Sequence, residues 1–144
     1  MFSKACEYGI RAMLYVAEQS QWGNRVNIKE ISKAIDSPEA FTAKVLQQLA
    51  RNGIVDSLKG PSGGFSIPSD KLDQLKLSEI VMAIDGDHVF VGCGLGLPEC
   101  SDEKPCPLHN KFGIIRDDLK QMLETTTVLE LAKGINNGLT FLKR

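Results

Sequence analysis

The segment from Asn27 to Gly53 carries the start and stop signals of two short helices, and it narrows the possible folds more than any other part of the sequence. Residues 27–30 (NIKE) form a capping box, in which the Asn and Glu side chains each bond a free backbone N–H at the helix start. Residues 36–38 (DSP) end that helix and begin the next, with Ser37 as the N-cap and Pro38 at the first helical position. Residues 52–53 (NG) end the second helix.

Two short β-type runs follow these helices, Ile54–Leu58 and Phe65–Ile67. They are joined by residues 59–64 (KGPSGG), a cluster of glycine and proline that predicts the tip of a hairpin. Two short helices a tight turn apart, followed by a glycine-rich hairpin, are the elements of a winged helix-turn-helix in their usual order. We call the second helix of the pair the recognition helix, and the two strands with their connection the wing.

The remaining segments are predicted to be helical apart from one loop. A first helix runs from Ser3, as its cap, to about Ser20, and a short one covers Leu77–Ile84. Residues 88–107, which we call the cysteine loop, carry three of the four cysteines. A last short helix begins at the capping box of residues 127–130 (TVLE) and is expected to end at Gly134.

A long helix between the cysteine loop and the last helix shows a heptad pattern. Its apolar residues recur at alternating spacings of four and three, which is the seam of a coiled-coil-like contact. These residues are Leu108, Phe112, Ile115, Leu119 and Met122.

The predicted fold class is therefore mainly α with a small β wing, a winged helix-turn-helix followed by a long C-terminal helix. We expect a DNA-binding unit at residues 1–87, the cysteine loop at 88–107, and a dimerisation helix with a C-terminal helix at 108–144.

Composition and charge say little about function. The 144 residues are 42% hydrophobic and 24% charged, as in a water-soluble globular protein. We expect a cytoplasmic protein, because no apolar run is long enough to span a membrane and the N-terminus lacks the pattern of a secretory signal. The net charge is −1, yet residues 1–64 carry eight Lys and Arg against six Asp and Glu, while the remainder carries nine against twelve. A polyanion such as DNA is therefore expected to contact residues 1–64, which carry the net positive charge.

The recognition helix and the wing carry the side chains expected to contact DNA. Phe41, Val45, Leu46 and Leu49 are predicted to form the buried stripe of the helix, which leaves small, polar and basic residues facing outward, as entry into the major groove requires. At the wing, glycines would let backbone N–H groups approach phosphates, and Lys59 could reach the minor groove. The candidate DNA-contacting residues are Ser37, Glu39, Ala40, Phe41, Thr42, Ala43, Lys44, Gln47, Lys59, Gly60, Pro61, Ser62, Gly63 and Gly64. Alternatively, these are solvated surfaces of a winged helix that binds only protein.

Cys93, Cys100, Cys106 and His109 form the pattern C-x6-C-x5-C-x2-H. Three thiolates within fourteen residues, on a loop rich in glycine and proline, suit either zinc or an iron–sulfur cluster. Structural zinc sites usually contain C-x2-C pairs, and this sequence has none. The spacing therefore favours an iron–sulfur cluster, with a structural zinc as the alternative. No second histidine accompanies His109 to act as base for a catalytic cysteine, and His88 is the only other histidine of the chain, so we do not expect an enzyme. Cys6 is expected to be a small packed residue of the first helix, with a reactive thiol as the alternative.

Taken together, these features closely resemble the Rrf2 family of bacterial transcription regulators. The resemblance runs from residues 8–14 (YGIRAML) to residues 129–131 (LEL), and its most specific part is the wing motif KGPSGGF preceded by NGIV. Within the family, the regulators of iron–sulfur biogenesis are the most similar type, because residues 106–109 (CPLH) keep the C-x2-H ending.

The resemblance implies a homodimer, joined through the long helix at about 108–124, which binds a palindromic operator in double-stranded DNA and which we expect to act as a repressor. It implies that Cys93, Cys100 and Cys106 hold a [2Fe-2S] or [4Fe-4S] cluster whose state alters DNA affinity in response to redox state, nitric oxide or iron. A sample prepared in air can lack this cluster. The fourth ligand would be His109, as in the biogenesis regulators, or Glu7 supplied by the partner subunit, as in the redox and nitric-oxide sensors.

Two departures from the biogenesis type limit what can be carried over. The first cysteine gap is one residue longer, which leaves the cluster type open. The recognition helix has Ala40, Phe41, Ala43 and Lys44 where that type has more polar residues, so its operator cannot be assumed. A regulator of the same family that senses a metabolite without a cluster is a further alternative.

Overall fold

A computed structural model describes residues 1–144 and shows eight helices with one two-stranded antiparallel sheet. The predicted fold class, mainly α with a small wing, is confirmed. In chain order the elements are α1 (Lys4–Ser20), α2 (Ile28–Ile35), α3 (Glu39–Arg51), β1 (Asp56–Leu58), β2 (Gly64–Ser66), α4 (Ser69–Leu72), α5 (Leu77–Asp85), α6 (His88–Val91), α7 (His109–Thr125) and α8 (Val128–Asn136).

Helix α1 lies at the centre of the molecule, in contact with α2, α3, α5 and α8. Its buried side chains include Cys6, Met13 and Val16, and these pack into one core with Ile31 of α2 and Leu46 of α3. Removal of this apolar surface from water is the main force that holds the helices together. Helix α7 packs on α5 and α6 at the edge of this core.

The predicted caps of the first two helices are confirmed. Ser3 Oγ accepts from the Cys6 N–H at 3.0 Å at the start of α1. At the start of α2, Asn27 Oδ1 accepts from the Glu30 N–H (2.9 Å), while the Glu30 carboxylate accepts from the Asn27 N–H (3.0 Å).

The start of α3 differs from the prediction. The helix begins at Glu39, its N-cap is Pro38, and no side chain caps it. Ser37 Oγ lies instead 2.7 Å from Thr42 Oγ1, and the Thr42 hydroxyl also lies 2.7 Å from the Pro38 carbonyl, to which it donates.

The buried stripe of α3 also differs at two adjacent positions. Thr42 is 0% exposed, while Phe41 is 39% exposed. A hydroxyl can be buried at low cost when it is hydrogen-bonded, and the bonds to Ser37 and Pro38 meet that condition for Thr42. The predictions that Phe41 is buried and that Thr42 faces outward are therefore both wrong.

The wing pairs β1 with β2 and closes on the loop between α1 and α2. Phe65 is buried, and its backbone exchanges hydrogen bonds with Val26 at 2.7 and 3.0 Å. Gly64 has φ +122°, and a Cβ at that position would lie 2.4 Å from the Val26 carbonyl oxygen. This close approach of two backbones requires glycine.

After the wing, the chain forms two helical turns beyond those predicted, α4 and α6, each of four residues. The end of α8 was also predicted wrongly, because the helix continues past Gly134 to Asn136. The Gly134 carbonyl accepts from the Leu139 N–H (3.0 Å), and Gly138 supplies the left-handed residue (φ +71°) that reverses the chain. None of the helices is long and apolar enough to cross a membrane.

Candidate functional site

The N-terminal half of α3 presents an outward face next to the wing. Glu39, Ala40, Phe41, Lys44 and Gln47 are exposed on this helix. Of the other candidates, Ala43 and Ser37 are half-buried and Thr42 is buried, which leaves Thr42 without access to a base.

The wing divides its candidate residues into two groups. Residues 59–62 (KGPS) are exposed at the tip, where they can meet a phosphate backbone. Gly63 and Gly64 are half-buried, and a Cβ on Gly63 would lie 2.1 Å from the Leu58 carbonyl oxygen, so both serve the packing of the wing itself.

Two side chains of α1, not included among the predicted site residues, hold the start of the recognition helix. The ring of Tyr8 meets that of Phe41 edge-on, with centroids 5.6 Å apart and planes at 74°. The Arg11 guanidinium lies 4.9 Å from the Tyr8 ring centroid, and its Nη1 donates to the Ile35 carbonyl (3.1 Å) at the end of α2. The signal in the sequence was the pairing of an aromatic and a cation three residues apart on α1.

Arg25 braces the base of the wing. Its guanidinium forms an ion pair with Asp56 (2.7 Å) and donates to the Gly64 carbonyl (3.1 Å). These bonds tie β1 and β2 to the α1–α2 loop, so the wing has a fixed position relative to the helix pair.

Cys93 is buried at the start of the irregular part of the cysteine loop. The Leu95 N–H donates to its sulfur at 3.4 Å. The backbone N–H groups of Leu95 and Leu97, and to a smaller extent the Cys106 side chain, hold the pKa of Cys93 below the ordinary value for a thiol. This environment favours the thiolate, which is the form that binds metals.

Cys100 contacts two cationic or basic groups. Its sulfur lies 3.4 Å from His109 Nδ1 and accepts a hydrogen bond from Arg116 Nη1 at 3.2 Å. His109 Nε2 lies 2.7 Å from Asp102 Oδ1, which orients the ring so that Nδ1 faces the sulfur. Arg116 Nη1 also donates to the Gly92 carbonyl at 3.0 Å.

Of the four candidate donors, Cys100 and His109 lie side by side, and Cys106 is near enough to Cys93 to contribute to its lowered pKa. No three His, Cys, Asp or Glu side chains come together as a metal-binding group. The chemistry of the donor set nevertheless fits an iron–sulfur cluster, because thiols are its usual ligands and the surrounding N–H groups stabilise thiolates. Arg116 Nε is buried there without a hydrogen-bond partner, which leaves a spare donor beside the sulfurs.

The other candidate fourth ligand, Glu7, is exposed on α1, and it forms an ion pair with Lys4 (3.1 Å) rather than any bond to the cysteine loop of its own chain. Cys6 is fully buried in the core, as predicted. Burial, with smaller contributions from Asp85 and Glu7, raises the pKa of Cys6 to about 12.

The heptad residues of α7 are divided between two environments. The Phe112 ring packs on the cysteine loop, where a Cβ on Gly94 would lie 2.6 Å from the ring, and Leu119 packs against the core. The exposed members are Leu108, Ile115 and Met122, and their neighbour Ile114 is also exposed.

Comparison with known proteins places this arrangement in a family. The model of the Rrf2 family, described as an iron-dependent transcriptional regulator, matches residues 2–134. The chain belongs to the Rrf2 family of transcriptional regulators. The predicted resemblance is thereby confirmed, and the regulation of transcription through DNA binding follows from membership of the family.

Relatives of this Rrf2 chain bear the names of regulators rather than of enzymes. A protein of Aquifex aeolicus named as an HTH-type transcriptional regulator is 29% identical over 133 residues, 91% of this chain and 90% of that protein. The regulator IscR of Cronobacter sakazakii is 29% identical over 130 residues, 90% of this chain and 76% of that protein.

Solved structures share the fold of this Rrf2 chain. CymR (YrzC), titled the global cysteine regulator of B. subtilis, aligns with a TM-score of 0.73 and 22% identity over 92% of this chain and 96% of that one. IscR of T. potens aligns with a TM-score of 0.74 and 17% identity over 97% of this chain and 91% of that one.

Proposed function

We propose that this Rrf2-family regulator binds a palindromic operator as a homodimer and that an iron–sulfur cluster, held by Cys93, Cys100 and Cys106, changes its affinity for that operator. The recognition helix α3 would enter the major groove, and the tip of the wing would contact the flanking backbone. We expect the protein to act as a repressor.

The observation that carries the cluster proposal is the set of donors around the thiols. The Leu95 N–H donates to Cys93, and Arg116 donates to Cys100. Donors of this kind stabilise the negative charge of ligating sulfurs and are a known influence on cluster potentials. When bound, a cluster supplies a redox-active centre that reacts with oxygen and nitric oxide.

His109 is our choice for the fourth ligand. Its Nδ1 already lies 3.4 Å from the Cys100 sulfur, whereas Glu7 bonds Lys4. The Asp102 carboxylate accepts a hydrogen bond from Nε2, an arrangement that is common for metal-bound histidines. With the proton on Nε2, Nδ1 carries the lone pair that would bind the cluster.

A path of packed elements joins the cysteine loop to the DNA-binding face. Phe112 and Arg116 fasten the loop to α7, and α7 packs on α5. Helix α5 in turn contacts α3, where Gln48 Nε2 donates to the Ala83 carbonyl at 2.8 Å. A change in the loop could reach the recognition helix along these contacts.

Anaerobic purification, followed by visible absorbance and analysis of iron and sulfide, tests the cofactor. Replacing Cys93, Cys100 or Cys106 by Ala should abolish the absorbance, while Cys6→Ala should retain it, because Cys6 is fully buried in α1 and is not one of the proposed ligands. A colourless wild-type protein with one tightly bound zinc per chain would reject the sensor proposal in favour of a structural zinc site.

The fourth ligand and the response are tested on the same samples. His109→Ala should lose the cluster several-fold faster than Glu7→Gln under a chelator; the reverse order would assign the ligand to Glu7. Operator binding is then measured for loaded and stripped protein over a range of salt concentrations. Equal affinities for the two forms would contradict cluster-dependent regulation.

A further inference from the structure

Arg116 makes contacts that neither the heptad pattern nor the cysteine pattern predicts. It lies on α7, one turn after Phe112, and a single nitrogen, Nη1, donates both to Cys100 Sγ (3.2 Å) and to the Gly92 carbonyl (3.0 Å). Gly92 directly precedes Cys93. One guanidinium therefore binds the loop at two places, at the Cys100 sulfur and at the backbone next to Cys93.

The guanidinium has capacity for a further hydrogen bond. Its Nε is buried and has no partner. Arg116 also lines a cavity of about 360 Å³ whose other walls include Cys93, Gly94, Phe112 and Met1. A buried donor without a partner is costly, since it has lost its hydrogen bond to water.

We infer that Arg116 is a positioning residue for the cysteine site, holding the Cys100 sulfur and the Gly92 backbone in place and fastening both to α7. This inference rests on the proposed cluster function and names a residue of α7 that would act on it. Charge-assisted hydrogen bonds are about twice as strong as neutral ones. The bonds from the Arg116 guanidinium are therefore suited to hold the cysteine loop on α7 whether or not a cluster is bound.

Arginine is needed for this task because of its shape. Its planar group holds Nη1 in a fixed direction, so that the two N–H bonds of this nitrogen can reach the carbonyl and the sulfur together while Nε stays available. Lysine would keep the charge, but its nitrogen lies on a flexible stem that fixes no direction. Arg116→Lys therefore separates the effect of charge from that of geometry.

The first test measures the midpoint potential of the bound cluster and its rate of loss to a chelator. Arg116→Met should lower the potential, because removal of a donor to a ligating sulfur disfavours the more negative reduced state, and should speed cluster loss several-fold. Arg116→Lys should have a midpoint potential between those of Arg116→Met and the wild type. Lys120→Met, which removes an exposed cation one turn further along α7, is the matched control and should equal the wild type.

The second test needs no cluster. Hydrogen exchange of the apo protein should be faster over residues 92–100 in Arg116→Met than in Lys120→Met, and unchanged exchange would overturn the fastening. If Arg116→Met does not fold, Arg116→Gln takes its place in both tests.

The outcomes separate the two proposals. Absence of a cluster from the wild type defeats the proposed function. A cluster in the wild type whose potential and loss rate are unchanged in Arg116→Met defeats the inference about Arg116.

Discussion

At the scale of single residues, an aromatic contact and a hydrogen bond hold the recognition helix at its N-terminal end. Tyr8 meets Phe41 edge-on, and Arg11 covers Tyr8 while bonding the last carbonyl of α2. These contacts reach both sides of the turn between α2 and α3. In the proposed complex, the angle at which α3 would meet DNA is therefore set in part from α1.

Arg11→Ala tests this role. We expect the free energy of unfolding to fall by about 1 kcal/mol, the size of one partly exposed hydrogen bond. Operator affinity should fall about fivefold, because the turn between α2 and α3 is held less firmly. Denaturant unfolding and fluorescence anisotropy with operator DNA measure the two effects. Lys71→Ala, an exposed cation on α4, should change neither. Full operator affinity in Arg11→Ala would show that α3 is held by its other contacts.

Phe41 and Thr42 show what could and could not be predicted at this scale. Hydrophobicity places Phe41 inside and Thr42 outside, but the bonds of Thr42 to Ser37 and Pro38 and the contact of Phe41 with Tyr8 decide otherwise. Both depend on neighbours brought together by the fold. The bond from Arg116 to Cys100, which joins residues sixteen apart, was out of reach for the same reason.

At the scale of elements, local signals predicted the helices well. The caps at Ser3 and Asn27 need only residues within the next turn, and the structure has both. The four-residue helices α4 and α6 are too short to show a periodicity. The wing was predicted from its glycines, although two of these serve backbone packing rather than approach to phosphate.

Gly64→Ala tests the packing of the wing. The variant should lose about 1–3 kcal/mol of unfolding free energy, because the residue has φ +122° and its Cβ would meet the Val26 carbonyl. Gly113→Ala on α7 is the control. Its Cβ would meet nothing within 4 Å, so alanine should stabilise the helix by up to about 1 kcal/mol. Denaturant melts at equal protein concentration compare the variants; the same direction of change in both would contradict the steric argument.

Lys59→Ala tests the wing as a DNA contact. The side chain is exposed at the tip, and a phosphate contact would contribute about one unit to the slope of log affinity against log salt. We expect weaker binding to operator and to unrelated DNA alike, with a slope lower by about 1. Lys71→Ala should leave the slope as it is. An unchanged slope in Lys59→Ala would remove the wing tip from the contact surface.

At the scale of the whole molecule, α7 leaves an apolar strip uncovered. Ile114 and Ile115 are 67% and 59% exposed, and Leu108 and Met122 extend the strip along the helix. Exposed apolar patches of this kind mark interaction surfaces. A second copy of the chain would cover it and would place two recognition helices on one operator.

Ile115→Lys should convert the dimer to a monomer, since a charge would be buried at the interface, and operator affinity should fall by at least tenfold. Light scattering coupled to size exclusion and anisotropy measure these changes. Glu124→Lys introduces the same side chain at an exposed position about 180° around the helix from Ile115, more than two turns from Ile114, and should remain dimeric. A dimeric Ile115→Lys would move the interface away from this strip.

The position of α7 also has a thermodynamic consequence. Phe112 and Arg116 fasten the cysteine loop to this helix, and the exposed Ile115 and Met122 lie on the same helix. If the helix transmits a change from the loop to the operator, the coupling must act equally in both directions. The factor by which a cluster alters affinity for DNA is then also the factor by which DNA alters retention of the cluster. Because binding to the operator would change how tightly the cluster is held, DNA-bound protein would respond to a different concentration of the signal from protein free in solution.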